Sequence, residues 1–166
     1  MFPADNSAVC TGSPGISTRT RAPAASGLPV AAIERSAYAD KAAHEAALGG
    51  QLAAWGAAFV ALAGFMRVLS PGFVGQWQGR MVNIHPSLLP KYKGLNTHAR
   101  ALEAGDSEHG CSVHWVTAEL DGGAVIAQAK VPVLRGDTEE ILAARVLIEE
   151  HKLYADALAM ALNRKL

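Results

Sequence analysis

The chain has 166 residues, half of them hydrophobic and 18% charged, which suits one globular domain with an apolar core and argues against disorder. Basic and acidic residues balance at 15 each, so no bulk charge points to a nucleic-acid or membrane surface. Cys10 and Cys111 lie far apart without CxxC spacing, which argues against a disulfide framework or a zinc site. The start, MFPADNSAVC, lacks a basic stretch followed by an apolar core, so no signal peptide is expected, and the run from Ala57 to Met66 is too short to span a bilayer. The expectation is a cytoplasmic protein with no metal, no nucleic acid and no membrane partner.

Residues 1–24 are rich in Ser, Thr, Pro and Gly and show neither helical nor strand periodicity. They are expected to be an irregular segment, unmatched to the domain that follows at 25–166, and read as translation from a wrong frame or a false start. Leu28 to Ile33 suits a short strand. Ser36 to Trp55 reads as an Ala-rich helix, weakened at Gly49 and Gly50 by roughly 1 kcal/mol each relative to Ala. Ala57 to Leu62 suits a buried parallel strand. Pro71 to Trp77 reads as a short helix with proline in its first turn, and Arg80 to Ile84 as another apolar strand running into His85-Pro86. Thr97 to Ala104 is a helix stopped by Gly105. Cys111 to Thr117 and Ala124 to Val133 alternate as strands around a Leu120-Asp121-Gly122-Gly123 turn. The last helix is expected to start at Asp137 with Glu140 completing a partial capping box, and to bury Ile141, Leu142, Val146, Leu153 and Leu158. Strands alternating with helices indicate an α/β fold, its sheet mostly parallel and flanked by helices. Ligands bind such sheets beyond the carboxyl ends of the strands, here near Gly64–Arg67 and Asn83–Pro86.

Asn83 and His85 are two apart on an extended segment and so share a face, with Ile84 on the other. Asparagine offers a neutral donor, and histidine can hold or transfer a proton near neutral pH. Asp121, in a glycine-flanked turn, could bring a carboxylate to the same cleft and favour the imidazolium. Read by themselves, a histidine before proline is as readily a satisfied polar residue, and an aspartate before Gly-Gly plain turn chemistry.

Four segments lift the catalytic reading: Ala63-Gly64-Phe65-Met66-Arg67-Val68-Leu69-Ser70, Asn83-Ile84-His85-Pro86-Ser87-Leu88-Leu89-Pro90-Lys91-Tyr92, Gly110-Cys111-Ser112-Val113-His114 and Leu120-Asp121-Gly122-Gly123. In order and spacing they resemble the glycinamide ribonucleotide formyltransferase family. The resemblance implies a Rossmann-like formyltransferase fold and transfer of a formyl group from 10-formyltetrahydrofolate to the amine of glycinamide ribonucleotide. It implies that Asn83 donates to the oxygen of the tetrahedral oxyanion, that His85 stabilises the charge and assists proton transfer, and that Asp121 holds His85 charged. Met66, Arg67, Val68 and Leu69 would line the folate pocket with Val116, Thr117, Ala118, Glu119 and Leu120, joined by Asn83 and by Lys41 as a basic residue nearby. Gly64, Pro86 and Glu150 would face glycinamide ribonucleotide, although Glu150 by itself reads as a solvated helix position and Met66 as core. His98, His114 and His151 match family histidines and are expected to be structural.

The resemblance also leaves gaps. The family's first strand and glycine-rich phosphate loop have no counterpart here, since Gly12-Ser13-Pro14-Gly15 follows no strand and Pro14 removes an amide donor. Asn96 and Leu147 replace the family's usual histidine and polar residue. The expectation is therefore a monomer or homodimer with a well-preserved folate side and impaired substrate binding. The alternatives are an inactive or folate-binding-only fragment, and the sister hydrolase formyltetrahydrofolate deformylase, which carries a different residue at the place of Pro86.

Overall fold

The structure is a computed structural model that describes residues 8, 9 and 29–164. Its centre is a four-stranded sheet built from β3 (Val60–Leu62), β4 (Met81–His85), β5 (Glu108–Trp115) and β6 (Val125–Pro132), in that order. β1 (Ala8–Val9) pairs in parallel with β2 (Val30–Ala31) in a separate two-stranded ladder. The rest of the segment expected to be irregular lies outside the described residues, as does Gly12–Gly15.

The sheet is mixed. β3 and β4 run parallel, as expected for the apolar strand after Ala57, whereas β4/β5 and β5/β6 are antiparallel. The β5–β6 connection is short and helix-free, and parallel neighbours need a crossover of about a dozen residues or more. Among the described residues β3 has β4 as its one neighbour in the sheet. Its Ala61 is therefore exposed and Val60 and Leu62 half-buried, where full burial was expected.

Helices cover both faces. α1 (Lys41–Ala54) starts later than its composition suggests, because Asp40 caps it by accepting from the Ala43 amide at 2.8 Å. The preceding Arg35–Ala37 forms a 3₁₀ turn. The helix runs unbroken through Gly49 and Gly50, and Gly49 lies against the Phe73 ring. α2 (Pro71–Gln76) begins with Pro71 after the Ser70 cap. α1 and α2 bury Leu48, Leu52, Phe73 and Trp77 on Met81 of β4.

α3 (Thr97–Glu103) precedes β5, and α4 (Glu139–Asn163) covers the opposite face. Thr138, rather than Asp137, caps α4. Asp137 instead accepts from the Leu134 amide and pairs with Arg145, which holds its carboxyl down at about 2. The stripe of α4 that reaches the core is Leu142, Val146, Leu153, Ala157 and Ala161, packed on Val82, Cys111, Val113 and Val131. Ile141, expected in that stripe, is half exposed, since it lies one residue off the face turned toward the sheet.

Candidate active site

Strand alternation sorts β4 cleanly. Val82 and Ile84 pack with α4, so Met81, Asn83 and His85 face the α1/α2 side. The antiparallel register then places His114 opposite Asn83 and Ser112 opposite His85. Asn83 Nδ2 lies 3.3 Å from His114 Nε2, and His114 Nδ1 lies 3.0 Å from the Trp115 carbonyl oxygen. A carbonyl can only accept, so Nδ1 of His114 carries a proton and its Nε2 accepts from the Asn83 amide. Burial holds His114 below the ordinary imidazole range, against the opposing pull of the Trp115 carbonyl and Asp121, which keeps Nε2 an acceptor. The orientation of the Asn83 amide is thus fixed: its NH2 group faces His114, and its second N–H is left for a ligand.

Asp121 reaches the same place from the β5–β6 turn. Its φ of 48° lies in the left-handed region, which aspartate tolerates better than most residues. The turn is tight because Gly123 presses on the strand end, where a Cβ would sit 1.7 Å from the Trp115 carbonyl oxygen. Asp121 Oδ2 accepts from the Gly94 amide at 2.8 Å and lies 3.5 Å from His85 Nδ1, while Oδ1 lies 3.6 Å from His114 Nε2. On its other side His85 Nε2 donates to the Tyr92 carbonyl at 2.9 Å. Nε2 of His85 therefore carries a proton, and its Nδ1 faces the Asp121 carboxylate. The structure brings His85 beside Asp121, and Asn83 beside His114, which Asp121 also approaches.

The segment after β4 is held rigidly. Ser112, fully buried, donates to the Ser87 carbonyl at 2.6 Å, accepts from the Leu89 amide at 3.0 Å and accepts from Gln128 Nε2 at 2.8 Å. Ser87 donates in turn to the Lys91 carbonyl. At Gly110 the strands come so close that a Cβ would lie 2.0 Å from the Ala129 carbonyl oxygen.

Beside Asn83 and Asp121 opens a cleft that both of them line and His85 does not. The apolar walls are Leu62, Phe65, Val68, Leu69, Val74, Val116 and Leu120, and all residues from Val116 to Asp121 line it. Arg67, Val68 and Leu69 also line a neighbouring cavity with Arg35, Lys41, His44, Glu45 and Phe65. Lys41 belongs to this second cavity and not to the first. Glu45 is buried and satisfied there, accepting from both the amide and the hydroxyl of Ser70.

Some expected residues lie elsewhere. Met66 is neither core nor cleft wall; at 61% exposure its side chain points to solvent, because Phe65 takes the inward position. Gly64, with φ of 63°, makes the backbone bend that carries the chain from β3 into this loop. Pro86 is half-buried after His85 and lines neither cavity. Glu150 is half-buried on α4 rather than solvated; burial pushes its carboxyl up, opposed by His151 and His85. His98 meets His109 at 3.2 Å, and His151 is exposed.

Sequence reasoning missed Tyr92, Gly94 and Ser112, and assigned His114 a structural place without its bond to Asn83. The alternation of β5, with Ser112 and His114 two apart, carried a usable signal for a shared face. The backbone contacts of Tyr92 and Gly94 carried none, since a carbonyl and an amide are present at every such residue.

The fold is an α/β sheet with an amide donor and an imidazole at the end of one strand and a carboxylate in a neighbouring turn, beside an apolar cleft. The formyl transferase family profile matches residues 2–158, beginning well before residue 25. The chain belongs to that family. It is 53% identical over 128 residues to a phosphoribosylglycinamide formyltransferase of Escherichia coli (strain K12), covering 77% of this chain and 60% of the relative. A match to the Drosophila melanogaster trifunctional purine biosynthetic protein adenosine-3 is 46% identical over 160 residues, covering 96% of this chain and 12% of that protein. Among solved structures, the glycinamide ribonucleotide transformylase 1 of Symbiobacterium toebii superposes with a TM-score of 0.79 at 43% identity, over 84% of this chain and 66% of the other. The phosphoribosylglycinamide formyltransferase of Brucella melitensis gives 0.76 at 49%, over 84% and 72%. The chain thus spans 60% of the length of its Escherichia coli relative.

Proposed function

We propose that this chain transfers the formyl group of 10-formyltetrahydrofolate to the amine of glycinamide ribonucleotide. The observation that carries the reading is that Asn83 and Asp121 line the cleft walled by Phe65, Val68, Leu69 and Val116–Leu120, with His85 beside Asp121. The names of the relatives support the choice of donor and acceptor.

The residues present fit a reduced folate. Apolar walls with a few polar groups at one end suit a flat heterocycle with hydrogen-bonding edges. The neighbouring cavity, with Arg35, Lys41 and Arg67, suits the anionic tail of the same molecule. The folate, when bound, supplies the formyl carbon as the electrophile. The free N–H of Asn83 donates to the formyl oxygen as it gains charge, which is the kind of preorganised contact whose loss costs about 10²–10³ in rate. His85 adds positive charge beside that oxygen and can return a proton to the leaving nitrogen. Asp121 keeps the imidazolium neutralised and oriented, and with His85 it forms the route by which the attacking amine loses its proton. Pro86, which follows His85 in the chain, Gly64 and Glu150, whose carboxyl feels the charge of His85, are the proposed contacts of glycinamide ribonucleotide.

The test is formyl transfer from 10-formyltetrahydrofolate with glycinamide ribonucleotide as acceptor, run beside a titration with a non-reactive folate analogue. Turnover that falls about a hundredfold or more in Asn83→Ala, with analogue binding kept within severalfold, is the expected result. Release of free formate independent of the acceptor would replace the reading with a hydrolase. Analogue binding without any transfer would leave a folate-binding protein.

A further inference from the structure

Tyr92 is an aromatic residue with φ of 54°, a conformation that bulky side chains rarely adopt. Such a backbone persists only where its surroundings over-determine it, and here they do. The Tyr92 hydroxyl donates to Asp106 Oδ2 at 2.7 Å, and Lys91 Nζ reaches both oxygens of the same carboxylate at 2.9 and 3.0 Å. The hydrogen bonds from Lys91 and Tyr92 hold the Asp106 carboxyl below its usual range. The Arg100 guanidinium stacks over the Tyr92 ring at 5.1 Å, and the buried His109 meets the ring edge-on at 6.2 Å. Arg100 also donates to the Lys93 carbonyl at 2.7 Å, pinning the next peptide.

What this strained turn presents to the site is backbone. The Tyr92 carbonyl accepts from His85 Nε2, and two residues on the Gly94 amide donates to Asp121 Oδ2. One short segment therefore grips both members of the imidazole–carboxylate pair, with an acceptor for the one and a donor for the other. Rotation of the Tyr92 peptide by a few tens of degrees would aim its carbonyl away from His85. Neither His85 nor Asp121 has a comparably short direct contact to the other, since their own approach is 3.5 Å. The clamp sets their relative placement more than their mutual attraction does.

We infer that Asp106, acting through the Tyr92 hydroxyl, is a positioning residue for His85, and that the Tyr92–Gly94 backbone is the element that aligns His85 with Asp121. The assignment rests on the proposed formyl-transfer role of His85, but the contact itself can be tested without it. Tyr92→Phe removes one oxygen and keeps the ring for Arg100 and His109. Asp106→Asn removes the carboxylate charge from the other end of the same bond.

The direct measurement is the ring Nε2–H of His85 in the 15N-labelled full chain with the ring charged, assigned by its loss in His85→Gln. In the wild type its bond to the Tyr92 carbonyl protects that proton from exchange with water. In both variants exchange should quicken about tenfold or more, as local opening exposes it. The second measurement is formyl-transfer kinetics. Each variant should lose about ten- to hundredfold in kcat, as misplacement of a catalytic group by about an ångström does, with KM for the folate donor within about twofold. The double variant should be no worse than the poorer single one, since both act through one bond. A His85 Nε2–H that exchanges at the wild-type rate in both variants overturns the inference. So does a loss confined to thermal stability, with kcat unchanged. If the wild type transfers no formyl group, the functional reading fails, while the exchange rates still decide whether Asp106 positions His85.

Discussion

Replacing Ser112 with alanine removes a single oxygen from the point where β5, β6 and the segment after His85 are joined. The residue is fully buried, and its hydroxyl makes three hydrogen bonds: to the Ser87 carbonyl, from the Leu89 amide and from Gln128 Nε2. The three losses differ in weight. Gln128 keeps a second acceptor in the Leu89 carbonyl at 2.9 Å, so its amide remains partly satisfied. The Leu89 amide, on a buried residue, is left without an acceptor, and a stranded buried donor costs about 1–3 kcal/mol. The Ser87 carbonyl loses its donor, a further contribution of about 1 kcal/mol. The expected destabilisation is about 2–4 kcal/mol, which for a domain of this size lowers Tm by roughly 5–15 °C. Urea unfolding followed by tryptophan fluorescence measures it, read from the midpoint at constant m-value. A Ser112→Ala variant within about 0.5 kcal/mol of the wild type would refute the reasoning, because it would mean that the three partners find other bonds and that the post-β4 segment is not held by this hydroxyl.

Two other outcomes follow from buried groups. Burial, reinforced by His98, pulls His109 down to about 4; a folded-state value below that of the unfolded chain means that the unfolded chain binds protons more readily in between. Stability should therefore be level above about pH 6.5 and fall as pH drops from there toward about 4, and His109→Gln should flatten that slope in denaturant melts at a series of pH values. A variant with the wild-type slope would remove His109 as the cause. Burial also pushes the Cys111 thiol up to about 12. In a Cys10→Ser background Cys111 should stay unmodified by a thiol-disulfide reagent at pH 8 until the protein is unfolded by denaturant, whereas fast native-state labelling would show that α4 opens readily over β5.

Much of the site was legible in the chain because it depends on local geometry. The period of two in Met81–His85 dictates that Asn83 and His85 share a face while Val82 and Ile84 share the other, whatever the strand packs against. Pro71 after Ser70, Gly105 after Glu103 and the Gly-Gly pair after Asp121 mark a start, a stop and a tight turn for steric reasons that act within a few residues. The four motif segments added an expectation of roles that such spacing leaves open. The tertiary structure decided everything that depends on register and on which side a loop turns. The pairing of β4 with β5 could have slipped, and only the observed register sets His114 against Asn83 and Ser112 against His85. Met66 and Phe65 are both apolar, and only the fold of the 63–70 loop decides that Phe65 lines the cleft while Met66 is exposed. Glu150 could have faced water, and the docking of α4 on the sheet half-buries it instead. The clamp of the Tyr92 carbonyl and Gly94 amide was the least readable part, because it uses backbone atoms that every residue carries. Its specificity lies in a turn conformation fixed by Asp106 and Arg100, which reach Tyr92 only once α3 and β5 are in place.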